Sequence, residues 1–507
     1  MSEKIISVQT KPPYGMIAIL FIGAFVAILN ETLLNIALPA IMEEFKVNAT
    51  AVQWLSTGYM LINGILIPAS AFFIQRFTDK KLFIIAMALF TLGTFLASIA
   101  PAFGVLLGAR MIQAAGSAIM MPLLMNVMLT AFPVEKRGAA MGMFGLVMIT
   151  APAIGPTLSG WLIEHYSWRM LFDLVLPIAI LTLIFAAFKL KNVTPQRPIK
   201  LDVLSLVLSS IGFGGLLYGF SSAGEKGWDN ILVYGTIIIG ALALITFILR
   251  QLRMDEPMLE FRIFKYPMFA LSTTISIVIS VAMFSAMILM PIYVQTIRGI
   301  SPMDSGLLML PGAIVMGIMS PITGKLFDKY GARTLAVIGL IITIVTTYYF
   351  SKIGLHTAYS TLVLLYTLRM FGMSMVMMPV MTNGLNQLPA YNNPHGTAMN
   401  NTLQQVSGAI GSAVLITVMN NITTVKAEEL AAKAMNNMSA NAAQASAQAT
   451  AEVQQQIMNE AMLHGINFTF FISTLITVIA LILAFFIKRV KPNQGMDMEI
   501  QRDVQGE

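Results

Sequence analysis

The sequence predicts an all-α membrane protein of 14 transmembrane helices, arranged as two pseudo-symmetric six-helix bundles with two helices inserted between them. Three observations predict it. Apolar runs of about 20 residues, long enough to cross a bilayer, recur along the chain. Lys and Arg collect in alternate connecting segments. The first six and last six runs share motifs. Composition agrees, with 57% of residues hydrophobic and 11% charged, where a soluble domain carries about 25% charged.

In order, the runs of the first half are 15–38, 52–75, 81–101, 105–130, 140–163 and 169–188. The insert contributes 201–221 and 231–249. The second half contributes 267–294, 304–325, 334–352, 359–385, 396–421 and 464–487. This divides the chain into an N-terminal bundle, 1–190, an insert with its linkers, 191–265, a C-terminal bundle, 266–490, and a tail, 491–507. Segment 422–463, rich in Ala, Asn, Gln and Met, interrupts the second bundle. Its helix-favouring composition predicts a helical hairpin on the outer surface, with a flexible spacer as the alternative.

With the N-terminus in the cytoplasm, 22 of the 31 Lys and Arg lie on inner segments and 7 on outer ones. Both termini are therefore expected inside. The basic pI of about 9.4 reads as topology and not as a nucleic-acid footprint. The short polar segment before Tyr14 has no cleavable-signal pattern. Cys is absent, which excludes disulfides and thiol chemistry. The four His, at 165, 356, 395 and 464, have no metal-ligand spacing. No Gly-rich phosphate loop ending in Lys-Ser/Thr occurs, so ATP is not the expected energy source. No cofactor, metal or enzyme activity is expected.

The repeat is explicit. Arg110–Asn126 and Arg369–Asn383 both open Arg-Met and close Met-Met-Pro-x-x-x-Asn. Gly138-Ala-Ala-Met141 then matches Gly396-Thr-Ala-Met399, and Ala153-Ile-Gly155 matches Ala409-Ile-Gly411. Two similar bundles around a central cavity suit alternating access.

One acid interrupts the apolar runs. Glu31 lies well inside the first, where a carboxylate costs about 2.5–3.5 kcal/mol and is usually kept for function. At 1.5 Å per residue, Glu31 and Arg110 sit about 12 and 8 Å below the outer surface. These depths allow a pairing between them, direct or through water or Gln113. Movement of Arg110 would switch Glu31 between proton release and uptake; the competing reading is a static ion pair. Asp173, at the start of the sixth run, is the second proton candidate. Arg369 repeats Arg110 with no obvious acid opposite.

Amides mark the expected cavity. Asn400, Asn401, Gln404 and Gln405 form one stripe of a helix, and Asn63, Asn126, Asn383 and Asn386 stand alone in apolar runs. Tyr59, Tyr293, Phe144 and nearby Met residues are expected to form its apolar wall.

These residues resemble a family. Leu29–Pro39, LNETLLNIALP, resembles the L-D-x-T-x-x-N-x-A-L-P motif of the major facilitator superfamily, in the 14-span drug:proton antiporter branch of EmrB-, QacA- and LmrB-like exporters. The motif's Asp is Asn30 here and the acid is moved to Glu31; Asn35 is in place. Arg110, Gln113 and Gly116 resemble R-x-x-Q-G-x-G. Ala151–Gly160, APAIGPTLSG, resembles the antiporter motif, with Ser159 for a Gly. Pro152, Gly155, Pro156 and Gly160 would bend it and allow it to act as a hinge or seal. The loop after the second run should read G-x-L-a-D-R-x-G-R-K. It keeps Arg76 and Lys80 but has Gln75 for the Asp and Thr78 for the Gly. Its counterpart, Gly324–Arg333, keeps Asp328, Lys329, Gly331 and Arg333 and is expected to latch the bundles on the cytoplasmic side.

The resemblance implies a proton-coupled antiporter in a bacterial cell membrane, monomeric and bound by lipid. It would export amphipathic drugs, cationic or zwitterionic, as a single embedded acid favours. The proton path would run through Glu31, Arg110 and Asp173. Substrate contacts would come from Asn30, Glu31, Asn35, Tyr59, Asn63 and Gln113, with Asn126, Tyr293, Asn383, Asn400, Asn401 and Gln404. The alternatives are an exporter dedicated to one endogenous lipid, envelope precursor or metabolite, and a transport-dead sensor.

Overall fold

A computed structural model describes residues 14–47, 49–133, 136–194, 196, 202–439 and 447–490. The expected tail, 491–507, and the tip of segment 422–463 lie outside the described residues. The fold is all-α among those residues. The first half comprises α1 (Tyr14–Phe45), α2 (Ala49–Arg76), α3 (Asp79–Ser98), α4 (Phe103–Ala131), α5 (Arg137–His165) and α6 (Met170–Lys189). The insert is α7 (Val203–Lys226) and α8 (Ile231–Arg253). The second half comprises α9 (Pro267–Ile292), α10 (Pro302–Tyr330), α11 (Ala332–Phe350), α12 (Tyr359–Ser374), α13 (Met377–Leu385), α14 (Asn393–Ser439) and α15 (Ala447–Ala484).

Among the described residues, fifteen α-helices make about 14 crossings because α12 and α13 share one. The break falls at Met375–Val376, where Thr323 Oγ1 donates to the freed Ser374 carbonyl at 3.1 Å. Irregular backbone at membrane depth survives where protein groups satisfy it. Elsewhere the sequence sets the ends. Pro267 and Pro302 open α9 and α10, where a missing N–H costs nothing. Thr78 and Asn230 cap α3 and α8. Gly331, at φ +80°, supplies the left-handed residue that stops α10 and starts α11.

The helices pack as the repeat requires. α1 lies on α5 and α6, α2 and α3 lie on α4, and α3 lies on α6. In the second half α9 lies on α14 and α15, α10 and α11 lie on α12, and α11 lies on α15. The halves meet along two seams, α5 with α10 and α2 with α14. The insert is asymmetric: α7 packs on both α2 and α14, and α8 leans on α7 with most of its apolar surface exposed. Segment 422–439 continues α14, and 447–463 begins α15. At 1.5 Å per residue α14 is about 70 Å long, more than twice the hydrocarbon thickness. The hairpin that the composition predicts is therefore helical on both described sides.

The start of α1 and the end of α15 share one face of the bundle, the terminal face. Every described hydrogen bond running directly between the halves lies in the membrane half near it. Asp328 Oδ1 and Oδ2 accept from Gly138 N at 3.0 Å and Ala139 N at 3.1 Å. Ser320 Oγ donates to the Gly142 carbonyl at 2.8 Å, and Arg137 Nη1 reaches Asn386 Oδ1 at 3.4 Å. On the other seam Gln75 meets His395 at 2.9 Å. A Cβ on Gly142 would lie 2.5 Å from the Ser320 carbonyl oxygen, so glycine sets this close approach. The hydrophobic core of the first half also continues into Met378, Met381, Leu385, Leu388 and Met399 of the second. The molecule is closed on the terminal side.

Two peripheral ion pairs brace the ends. On the opposite face Glu44 accepts from Arg169 Nη1 and Trp168 Nε1, both at 2.6 Å, and Arg169 holds its carboxyl below the usual range. At the terminal end of the insert, Arg250 Nε and Ser205 Oγ donate to Asp202 at 2.8 and 2.6 Å. Arg250 is the main cause that brings the Asp202 carboxyl down from 3.8 to about 2. A depressed carboxylate contributes stability that is fully present above its unfolded value and lost as pH falls through the folded one. Wild type is thus expected to melt above Asp202→Asn at pH 6, and the gap to close between about pH 4 and pH 2. Thermal unfolding of both proteins in detergent checks this; a gap unchanged across that window would rule out the charge as its source.

Candidate functional site

The polar centre of the first half is built on α1, α2, α3 and α4. Arg110 is 1% exposed and sits on α4 where the sequence lacks any polar neighbour except Gln113, one turn on. Its Nη1 donates to Asn30 Oδ1 at 2.6 Å and to Gln113 Oε1 at 2.9 Å. Gln113 Nε2 in turn donates to Thr94 Oγ1 at 2.7 Å. The guanidinium carbon lies 4.3 Å from the centroid of the Tyr59 ring on α2, a cation–π contact of about 0.5–2 kcal/mol. Arg110 Nε and Nη2 are buried and make no hydrogen bond among the described residues.

Glu31 follows Asn30 on α1, about 100° further round the helix. It is half-buried and close enough to Arg110 for their charges to interact, with the Tyr59 hydroxyl nearby. No described hydrogen bond or ion pair joins Glu31 to Arg110. Of the pairing that the depths allow, direct or through water or Gln113, the direct form is not the one found: Asn30, the position that the family motif gives to Asp, takes the arginine, and the displaced acid stands beside it. The turn carrying Glu31 is anchored. Thr32 Oγ1 donates to the Leu29 carbonyl at 2.9 Å. Ser159 Oγ on α5 donates to the Leu33 carbonyl at 2.6 Å. Ser159, which the sequence marks only as a departure from glycine, thus ties the antiporter-like segment to the acid. Gly155 belongs to the same contact, because a Cβ there would meet Thr32 Oγ1.

The second half builds the arginine without the acid. Arg369, fully buried, donates from Nη2 to the Ala282 carbonyl at 2.7 Å and from Nε to Thr347 Oγ1 at 3.2 Å. No carboxylate pairs with it among the described residues.

Several predicted cavity residues sit elsewhere. Asn126 Nδ2 donates to Thr194 Oγ1 at 3.0 Å, and Asn383 Nδ2 donates to the Lys488 carbonyl at 3.1 Å. The repeated Asn therefore clamps the chain leaving each half's last helix. The buried Tyr293 donates from its hydroxyl to the Gly354 carbonyl at 2.7 Å, near the opposite face. Asp173 is exposed and accepts from Ser98 Oγ, at the far end of α3 and outside the Arg110 cluster. Asn400 and Gln404 do face the seam, donating to Met381 Sδ at 2.8 and 3.8 Å. A thioether is a weak acceptor, so both amides keep hydrogen-bonding capacity. Asn63 on α2 is buried with an unpartnered Oδ1, and Asn401 is half-buried on α14. The side chains of Asn35 and Pro156 lie outside the described residues.

The latch is also redistributed. Arg76 is exposed, and the Lys80 backbone N–H donates to Asn192 Oδ1 of the linker after α6 at 3.1 Å. Their neighbours act instead: Gln75 crosses to His395, and Asp79, fully buried, accepts from Val193 N and Thr194 N at 2.7 and 2.8 Å. Gly160 has nothing within 4 Å of a Cβ position, so it mediates no close packing. Pro152 sits inside α5, which stays one continuous helix. Arg333 is exposed, and Asp328 alone of the second loop's conserved-looking charges bridges the halves.

Comparison with known proteins agrees with this architecture. The model of the Major Facilitator Superfamily matches residues 20–412. The chain belongs to that superfamily. Among curated proteins, it is 49% identical to the uncharacterized MFS-type transporter YhcA of Bacillus subtilis, over 96% of this chain and 95% of that protein. It is 43% identical to the lincomycin resistance protein LmrB of Bacillus subtilis, over 94% and 96% of the two chains. A crystal structure of the human organic anion transporter MFSD10 (TETRAN) shares its fold, with TM-score 0.65 and 12% identity over 94% of this chain and 100% of that one. This superfamily member is a multi-pass transporter and not an enzyme.

Proposed function

We propose that the chain is a proton-driven exporter of amphipathic cationic or zwitterionic drugs, working by alternating access in a bacterial cytoplasmic membrane. The terminal face would be cytoplasmic, as the Lys and Arg distribution requires. The observation that carries the reading is Glu31 standing beside Arg110 with two guanidinium donors unspent. An ionised Glu31 would draw those donors across. A proton arriving from outside would release Arg110 to Asn30 and Gln113, the arrangement described above. A cationic substrate would compete with the proton for the same carboxylate. Asn63, Asn401 and Gln404 would supply amide contacts that tolerate several substrates. Relatives named for lincomycin resistance and multidrug resistance support a drug as cargo.

The test is flux in everted membrane vesicles. An imposed gradient, acidic inside, is expected to drive ethidium accumulation at least about tenfold over a pH-clamped control, and an uncoupler to abolish it; the driving force is ~1.4 kcal/mol per pH unit. Accumulation indifferent to the gradient would remove proton coupling. Failure with every cation tested, beside gradient-driven movement of one endogenous compound, would replace the drug exporter with a dedicated one.

A further inference from the structure

The Arg110 network contains a residue that neither the motifs nor the cavity explain, Thr94 on α3. It is fully buried. Its hydroxyl spends its one hydrogen on the Phe90 carbonyl at 2.7 Å. Its lone pairs are left to accept, and Gln113 Nε2 donates to them at 2.7 Å. That contact decides which end of the Gln113 amide faces Arg110. With the NH2 end held on Thr94, the carbonyl end meets Arg110 Nη1 at 2.9 Å. A reversed amide would set donor against donor, because a guanidinium has no acceptor. Gln113 also has little freedom to find another arrangement: a Cβ on Gly93 would lie 2.6 Å from its Cγ, so α3 and α4 are in close contact here.

The second half supplies an internal comparison. Thr347 stands on α11 where the repeat places Thr94 on α3, and Gly372 stands three residues after Arg369 where Gln113 follows Arg110. With no amide between them, Thr347 accepts from the arginine directly, at 3.2 Å. In both halves a threonine of the third helix holds the arginine of the fourth. Only the first half interposes an amide whose direction matters, and only that half has an acid beside the arginine.

We propose that Thr94 is a positioning residue for proton coupling. Its hydroxyl orients Gln113 so that Arg110 rests on neutral partners until Glu31 ionises. This rests on the reading of Glu31 and Arg110 as the coupling pair. The experiment uses the purified full chain with Thr94→Val, which keeps the shape and loses the hydroxyl, and Thr94→Ser, which keeps the hydroxyl. Infrared titration follows the Glu31 carboxyl band, identified by its loss in Glu31→Gln, and vesicle flux gives the pH profile of ethidium transport. Thr94→Val is expected to displace the Glu31 midpoint and the transport profile by about half to one pH unit, since a loosened charge-assisted hydrogen bond alters the charge held beside the acid. Thr94→Ser is expected to retain both. If Thr94→Val does not insert, Thr94→Ala carries the same expectation. An unmoved Glu31 midpoint in a hydroxyl-free variant overturns the proposal, and so does equal displacement by Val and Ser, which would assign the effect to packing. Wild type without gradient-driven flux would overturn the antiporter reading alone. A displaced midpoint would then still establish the hold of Thr94 over Glu31.

Discussion

Glu31→Gln is expected to abolish pH-gradient-driven efflux in a protein that still folds and inserts. The amide fills the same volume and can hydrogen-bond, but it cannot release a proton or become the anion that draws Arg110 away from Asn30. Coupled flux should fall at least about 100-fold, the scale on which loss of a positioned proton carrier is felt. Thermal stability should hold or rise, because a carboxylate at membrane depth costs about 2.5–3.5 kcal/mol that the amide partly relieves. Exchange of a labelled cationic substrate without a gradient should weaken as well, because the cation loses the carboxylate it shares with the proton. Vesicle flux with and without the gradient, beside a melting curve, separates these outcomes. Gradient-driven efflux equal to wild type would remove Glu31 from the proton path and leave it as a polar neighbour of Arg110. Asn30→Ala with Glu31 intact asks a second question. Losing the 2.6 Å contact that now holds Arg110 should leave the guanidinium nearer Glu31, which favours the carboxylate and slows proton uptake.

The fold was legible because membrane crossings need length, hydropathy and charge bias, and all three are written locally in a chain. The repeat was equally plain, since Met-Met-Pro-x-x-x-Asn recurs letter for letter. What the repeat meant was not legible. A lone amide in an apolar run reads the same whether it lines a cavity or ties down a chain exit, and Asn126 and Asn383 do the second. Tyr293 is similar: an aromatic with a polar tip that finds a carbonyl in its own half. The sequence could place the acid at the depth of the arginine, because charged groups inside apolar runs have few places to go. The arginine's partner choice was missed because one residue of register on α1 decides which side chain meets Arg110, and sequence depth arithmetic has no angular resolution. Gln75, His395 and Asp79 escaped because a motif that has lost its expected residues gives no signal of what replaced them. Thr94 carried no signal alone; only its counterpart Thr347, across the repeat, could have drawn attention to it.

Asp328→Asn is expected to open the terminal face. The Asp328 carboxylate sits on the first turn of α5, where two backbone N–H groups, Gly138 and Ala139, donate to its two oxygens. The positive end of the α5 dipole favours a negative charge there. The contact spans the two halves, so it exists only while this side is closed. Asn can accept one of these bonds and carries no charge. Hydrogen bonds to charged groups are worth about 1.5–3 kcal/mol, and about 1.4 kcal/mol is tenfold in a two-state ratio. The closed population should therefore fall by roughly 10- to 150-fold relative to the open one. The other seam has the Gln75–His395 contact, which involves no carboxylate, and a typical hydrogen bond is worth near 1 kcal/mol. Gln75→Ala should thus move the same equilibrium by less than tenfold. The chain has no Cys, so labels introduced at Lys136→Cys and Lys329→Cys report the distance across the α5–α10 seam without background. In Asp328→Asn the longer distance should dominate, and gradient-driven flux should fall with it, because a transporter that rarely closes inward cannot return an emptied site outward. Distance distributions unchanged by Asp328→Asn would mean that the glycine-lined backbone contact at Gly142 and Ser320 holds the seam without help from the carboxylate. Closure would then be a matter of packing, and the charge at Asp328 would serve only to fix the register of α5 against α10.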